Sequence, residues 1–145
     1  MLQENNYFFK MIGQPFVMAH CNFQLRGEAS DGDEVFVKDL AKALEVPYFV
    51  QHFETYKLAI QQKKSVQIIA RELRYEWLEM IRQQENCSYL ATAHHLNDSV
   101  ETVLYNLTKG CGIHGLHGIL PINGVIIRPL LWMTKTQIRE FAAAE

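Results

Sequence analysis

Cysteine is scarce in this chain. Cys21, Cys87 and Cys111 are its only three, they are widely spaced, and no C-x-x-C pair exists. Zinc ribbons, redox dithiols and cysteine-bound iron–sulfur centres therefore lose their sequence basis. Reduced thiols in a cytosolic protein are expected instead. No apolar run approaches the roughly 20 residues of a membrane span. The first ten residues carry Glu4 and polar amides and lack a basic-then-apolar signal pattern, so a cytoplasmic location is expected. Charge of one sign is also missing. Fourteen basic and 16 acidic residues give a net charge of −2, which argues against nucleic-acid binding by bulk charge and leaves a local basic patch open. G-x-x-x-x-G-K-[ST], H-E-x-x-H and any serine-glycine-glycine run are absent.

What is present is enough for one domain. The 145 residues are 48% hydrophobic and 21% charged, ordinary for a globular chain. Phe16 to Ala19 reads as a strand ending at His20, and the polar stretch Asn22 to Asp33 as a loop. Asp33 is placed to cap a helix through Val35, Phe36, Leu40, Ala43 and Leu44, which Pro47 ends. Tyr48 to Val50 is a second strand, arriving at His52. Ser65 caps a long helix with Ile68, Ile69, Leu73, Trp77, Leu78 and Ile81 at helical spacing, and Asn86 breaks it. Tyr89 to Ala93 is a third strand, followed by a helix from Asn97 to Thr108. Val125 to Ile127 is a fourth strand, ending at Arg128, and Thr134 opens a last helix. Strands alternating with helices of this length imply an α/β fold with an open, mostly parallel sheet flanked by helices.

The strand ends carry the chemistry. Each apolar run stops at a polar group: His20, His52, His94 with His95, and Arg128. Ligands of open α/β sheets bind at the carboxyl ends of strands, beside helix N-termini. Asp98 and Glu101 are three apart and share a face of the first helical turn. The pair suits Mg²⁺, which takes one or two carboxylates with waters and substrate phosphate; a capping arrangement of solvated acids is the competing explanation. His94 and His95 offer hydrogen-bond donors beside it. Gly110-Cys111-Gly112-Ile113-His114-Gly115 matches G-x-G-x-x-G but follows a helix, so it is not the dinucleotide fingerprint. Its glycines, with Gly118, permit tight turns or close approach of a ligand, and Lys109, His114 and His117 stand nearby. Arg71, Arg74 and Arg82 on the long helix are either a solvated face or phosphate contacts. Tyr75 and Trp77 read as packing residues.

Several of these segments together resemble the tRNA(Ile)-lysidine synthetase family of N-type ATP pyrophosphatases. Ala19-His20-Cys21-Asn22-Phe23-Gln24-Leu25-Arg26 resembles its H-x-N-x-x-L-R segment, and Ala70-Arg71-Glu72-Leu73-Arg74-Tyr75 its AR-x-x-RY helix. Ala91 to Thr102, with Lys109-Gly110-x-Gly112-x-x-Gly115-Leu116, is similar to its ATAHH-x-x-D-x-x-ET…(R/K)G-x-G-x-x-GL block, and Arg128 to Leu131 to its RPLL strand end. The resemblance covers residues 16 to 140. It implies an adenine nucleotide alpha hydrolase-like (PP-loop) fold, with ATP and Mg²⁺ as cofactors and tRNA(Ile) and free lysine as substrates. It implies a ligase that joins lysine to C2 of the wobble cytidine through an adenylated intermediate. Asp98 and Glu101 would then be catalytic and hold the metal, with His94 and His95 lining the site. His20, Asn22 and Arg128 would border the nucleotide. Arg26, Arg71, Arg74, Lys109, Gly110 and Gly112 would contact RNA.

Two departures qualify the resemblance. Asn97 stands where many relatives have the first aspartate of an Asp-Asp pair. The family's S-G-G-x-D-S loop, which cradles the pyrophosphate, is not found in residues 1–15. Residues 1–145 are accordingly expected to be a partial PP-loop catalytic domain, an internal fragment or a degenerate or mis-started product. It would lack an N-terminal strand and the C-terminal tRNA-binding domains, be inactive alone, and be either marginal in stability or associated with itself as a homo-oligomer. Three rivals remain: another ATP pyrophosphatase such as a tRNA thiolation enzyme, a non-catalytic relic that serves as an interaction module, and a metal hydrolase using His94, His95 and Asp98.

Overall fold

A computed structural model describes residues 13–110 and 117–144. The chain divides into two compact units, Pro15–Cys87 and the remainder.

In the first unit, β1 (Met18–Asn22) pairs in parallel with β2 (Tyr48–His52), with Met18 opposite Tyr48 and Asn22 opposite His52. α1 (Glu28–Ala43) is the crossover between them. Side chains alternate along a strand, so Met18, His20 and Asn22 share one face, and α1 covers it. Met18, Val37 and Ala41 form the buried centre there, with Phe16, Leu40, Leu44, Val46 and Tyr48 packed round it. α2 (Thr55–Gln62) and α3 (Val66–Gln84) follow. Ser65 caps α3 as the sequence suggests, its hydroxyl accepting from the Ile68 N–H. The buried face of α3 is Ile69, Ala70, Trp77 and Ile81. Ile69 and Val37 are almost wholly enclosed, and each contributes about 1.5–3 kcal/mol by leaving water. Trp77 meets Phe53 edge-on at 6.4 Å, and Phe53 stacks on Phe23 at 5.4 Å.

Four expectations for this unit are corrected. β1 starts at Met18 and runs on through Asn22, so His20 lies in mid-strand rather than beyond its end. α1 begins at Glu28, five residues before Asp33. The chain turns into it at Gly27, whose φ of 54° and ψ of −130° favour glycine, and Glu28 and Asp31 in the first turn suit the helix dipole. The inward stripe of α1 is Ser30, Val37 and Ala41, while Val35 and Phe36 are more than half exposed. α2 has no counterpart in the sequence reading.

In the second unit, β3 (Leu90–Ala91) pairs in parallel with β5 (Ile126–Ile127), and β4 (Ile122–Asn123) pairs antiparallel with β5. β4 forms a short hairpin with β5 that the sequence did not announce, and β3 is shorter than the apolar run suggested. α4 (Leu96–Thr108) and α5 (Lys135–Ala144) complete it. The start of α4 is tied to the start of α5: the Leu96 N–H donates to the Met133 carbonyl at 2.9 Å, and the Lys135 N–H to Asn97 Oδ1 at 3.0 Å. Asn97, read from sequence as a lost charge, thus has a structural task. Among the described residues no helix is long and apolar enough to cross a membrane.

Gly118 makes a tight turn against α4. Its φ is +62°, and a Cβ there would collide with Ser99 Oγ and lie 3.1 Å from Val103 Cγ2 on α4. The same Ser99 hydroxyl accepts from the Ile119 N–H at 3.1 Å. Gly118→Ala is expected to cost about 2 kcal/mol or more, from left-handed strain and overpacking. A urea midpoint within experimental error of the parent's would refute this account of the turn.

Candidate active site

The predicted site residues are shared between the units. His20, Asn22, Arg26, Arg71 and Arg74 lie in the first; His94, His95, Asp98, Glu101, Lys109, Gly110 and Arg128 lie in the second. Gly112, with the rest of 111–116, is outside the described residues.

The second unit gathers its acids at the α4 N-terminus. His95 is the N-cap, and it forms a reciprocal box with Asp98. The His95 N–H donates to Asp98 Oδ2 at 2.9 Å, and the Asp98 N–H donates to His95 Nδ1 at 3.3 Å. Such a box satisfies helix-end donors that would otherwise lack partners. Capping and ligand roles are therefore not exclusive here: Asp98 caps through one oxygen and remains part-exposed. Glu101, one turn on, is exposed. His94 Nδ1 lies 2.9 Å from Thr92 Oγ1 just past β3. Arg128, immediately after β5, is only 8% exposed. Its Nη1 donates to the Leu120 carbonyl at 2.6 Å, and its Nε is buried with no partner. A buried guanidinium with so little compensation is costly unless an anion accompanies it.

Lys109 and Gly110 are not brought to this junction. Lys109 is the C-cap of α4, three turns from Asp98, or about 16 Å along the axis. Its ammonium sits 5.5 Å from the centre of the Tyr105 ring.

The first unit builds a polar knot. Asn22 is 1% exposed. Its Nδ2 donates to Glu34 Oε2 at 2.8 Å and to Asp31 Oδ1 at 3.1 Å, and its Oδ1 accepts from the Gln24 N–H at 3.0 Å. Glu34 also meets His52 Nε2 at 2.6 Å. The Asn22 amide is enclosed and engaged in fixing the end of β1 to α1. Sequence reasoning missed Asp31 and Glu34, although their spacing of three on one helix face, opposite a strand asparagine, was available. Arg26 pairs with Asp33 on the surface. Arg74 lies 5.2 Å over Phe23, and Arg71 lies 5.2 Å over Tyr75. Arg82 pairs with Glu79.

This knot titrates. Burial lowers the pKa of His20, against the pull of Glu34 and Asp33. The Asn22 hydrogen bond, and then that of His52, hold Glu34 below its ordinary value. At both groups the unfolded chain binds protons more readily, so stability rises with pH through each transition. Stability is expected to fall first as pH drops below the ordinary histidine value of 6.5. A second fall is expected below the ordinary glutamate value of 4.5. In urea titrations across pH 3–8, His20→Gln should remove the upper limb and leave the lower. Retention of both limbs would show that another group carries the first. Burial also pushes the Cys21 thiol up to about 11, which makes it inert; Cys21 and Cys87 are free, and Cys111 is outside the described residues.

Comparison with known proteins adds two findings. The sequence matches the PP-loop domain family over residues 2–145. It is also similar to proteins named tRNA(Ile)-lysidine synthase. The one from Parabacteroides distasonis is 46% identical over 132 residues, covering 91% of this chain and 30% of that protein. The one from Bacteroides thetaiotaomicron is 47% identical over 120 residues, covering 83% and 28%. The one from Clostridium acetobutylicum is 34% identical over 128 residues, covering 88% and 28%. The chain thus spans about three tenths of the length of these relatives.

Proposed function

The chain belongs to the PP-loop domain family, and from that premise we propose that it forms the ATP-handling part of a tRNA(Ile)-lysidine synthase. The fold is that of the adenine nucleotide alpha hydrolases, in keeping with the parallel pairing of β1 with β2 and of β3 with β5. The observation that carries the proposed activity is identity near one half to relatives of that name across most of the chain.

In this reading the C2 oxygen of the wobble cytosine attacks the α-phosphorus of ATP, and pyrophosphate leaves. The amine of free lysine then attacks C2 and loses a proton, and AMP departs with the former C2 oxygen. Such chemistry needs positioning and charge neutralisation above all. Asp98 and Glu101 are the residues that would hold Mg²⁺. The donor set fits: Mg²⁺ brought by a nucleotide needs only one or two carboxylates, and Asp98 and Glu101 are three apart at the start of α4. A protein cage for zinc would need three or four ligands. Bound there, the ion neutralises phosphate charge. His95 and Asp98 keep the helix start rigid, His94 borders it, and the under-compensated charge of Arg128 suits an anionic group. His20 is assigned to the border of the nucleotide, and Arg26, Arg71, Arg74 and Lys109 to RNA contact.

The test is a chimera. This chain replaces the matching 132 residues of the Parabacteroides distasonis protein, and lysine incorporation into tRNA(Ile) is measured with ATP. Incorporation is the expected result. A folded chimera that binds ATP and tRNA yet transfers no lysine would reject the reading.

A further inference from the structure

An open cleft of about 240 Å³ lies in the second unit, lined by His95, Lys135, Ile138, Arg139 and Ala142. We infer that it receives a phosphate of an RNA backbone. The inference rests on the proposed action on tRNA and adds a contact that the motifs did not include.

Three features point to a phosphate. Lys135 and Arg139 are four apart on α5, so they stand one above the other on one helix face. Elsewhere Arg26, Lys57, Lys64 and Arg82 are ion-paired, and Arg71, Arg74 and Lys109 lie over aromatic rings. Among the described residues Lys135 and Arg139 have neither kind of partner, a condition they share with Lys38, Lys42, Lys63 and Arg128, and of these six it is Lys135 and Arg139 that line the cleft. His95 adds a fixed donor. It is 7% exposed, and its Nδ1 is engaged with Asp98. With Nδ1 accepting from the Asp98 N–H, the neutral ring carries its hydrogen on Nε2. Two cations and a buried N–H donor match phosphate oxygens.

The rest of the cleft favours a polymer as the source of that phosphate. Ile138 is buried and Ala142 small, giving an apolar floor against which the edge of a sugar can lie. The cations are exposed on a helix surface, where a backbone can run past them. The Lys135 N–H bond to Asn97 also fixes the start of α5 to the start of α4, so a strand held here lies close to the helix turn that carries Asp98.

The test compares the chain with its Lys135→Ala/Arg139→Ala variant. Alanine is an excellent helix former, and the Lys135 contact to Asn97 is made by backbone, so the cap survives. A Lys38→Ala/Lys42→Ala variant, which removes two exposed cations of α1, controls for bulk charge. Affinity for unmodified tRNA(Ile) is measured by filter binding across salt concentrations, and Mg²⁺–ATP and inorganic phosphate are titrated in parallel. The expected result is about a tenfold loss of tRNA affinity, a salt slope shallower by about 1–2, an unchanged control and unchanged ATP binding. Unaltered tRNA affinity, or an equal loss in the control, overturns the inference. Loss of ATP or phosphate binding without loss of tRNA binding also overturns it, since the phosphate would then be a free nucleotide's. A parent chain that binds no tRNA overturns it as well, and does so separately from the ligation reading, which the chimera decides.

Discussion

Asp98→Asn in the chimera should reduce lysine incorporation by at least about a hundredfold, equivalent to about 2.7 kcal/mol or more of transition-state stabilisation. The substitution separates the two tasks of this side chain. The cap needs only an oxygen that accepts from the His95 N–H, and the amide oxygen of asparagine supplies one. Metal binding and phosphate neutralisation need the charge, which asparagine lacks. Thermal stability should therefore stay close to the parent's while turnover collapses. Asp98→Ala removes both and should also cost about 0.5–2 kcal/mol of stability through the lost cap. Glu101→Gln, at an exposed site with no capping duty, should lose activity with no stability change. Parental turnover in the asparagine variant would mean that Asp98 is a cap and nothing more.

Replacing Asn22 with Leu should lower stability by about 3 kcal/mol, although Leu is close to it in size. The amide makes hydrogen bonds to two carboxylates and receives one from backbone. Bonds to charged groups are worth about 1.5–3 kcal/mol each in favourable settings. Asp31 is exposed and can turn to water, so its share is the smaller one. Glu34 keeps His52 but loses the bond that most lowers its pKa. The lower limb of the pH dependence should therefore shrink in the same variant. Urea unfolding gives the stability change directly, read from the midpoint at constant slope. A loss under about 1 kcal/mol would mean that the knot contributes little to holding β1 on α1.

These two residues also show what sequence could convey. Asp98 was legible, because three-residue spacing at the start of an apolar-periodic helix specifies both its face and its turn. The box with His95 is only partly legible: the spacing allows a capping arrangement, but histidine is an unusual N-cap. Asn22 was visible as a motif residue yet misplaced, because the extent of β1 was misjudged. The apolar run stops at Ala19, whereas the strand continues through three polar or thiol-bearing residues whose partners come from β2 and α1. α1 was misjudged for a related reason. It buries small residues, Ser30 and Ala41, and exposes Val35 and Phe36, so hydropathy finds Leu40 and Leu44 on the inner face but misplaces the first turns. α2 buries only Thr55 and Ala59 and leaves Tyr56 and Ile60 largely exposed. Its N-cap, Glu54, makes no side-chain cap, so neither periodicity nor a start signal marked it. α3, with a serine cap and large buried residues, was readable from both.

The parallel pair β3–β5 has a consequence for the order in which this protein assembles. It rests on two residue pairs, and Leu90 and Ile126 are about 36 residues apart in sequence. Closing a loop of that length costs roughly 3 kcal/mol of chain entropy before any of the second unit's packing repays it. α4 can coil locally within about a microsecond, but among the described residues β3 has no strand partner until β5 arrives. On a ribosome, which adds about 5–20 residues each second, Asp98 and Glu101 emerge well before Ile127. For that interval the helix that carries both carboxylates waits for the β3–β5 pair, and chaperone contact or premature cleavage would fall on this segment of the nascent chain.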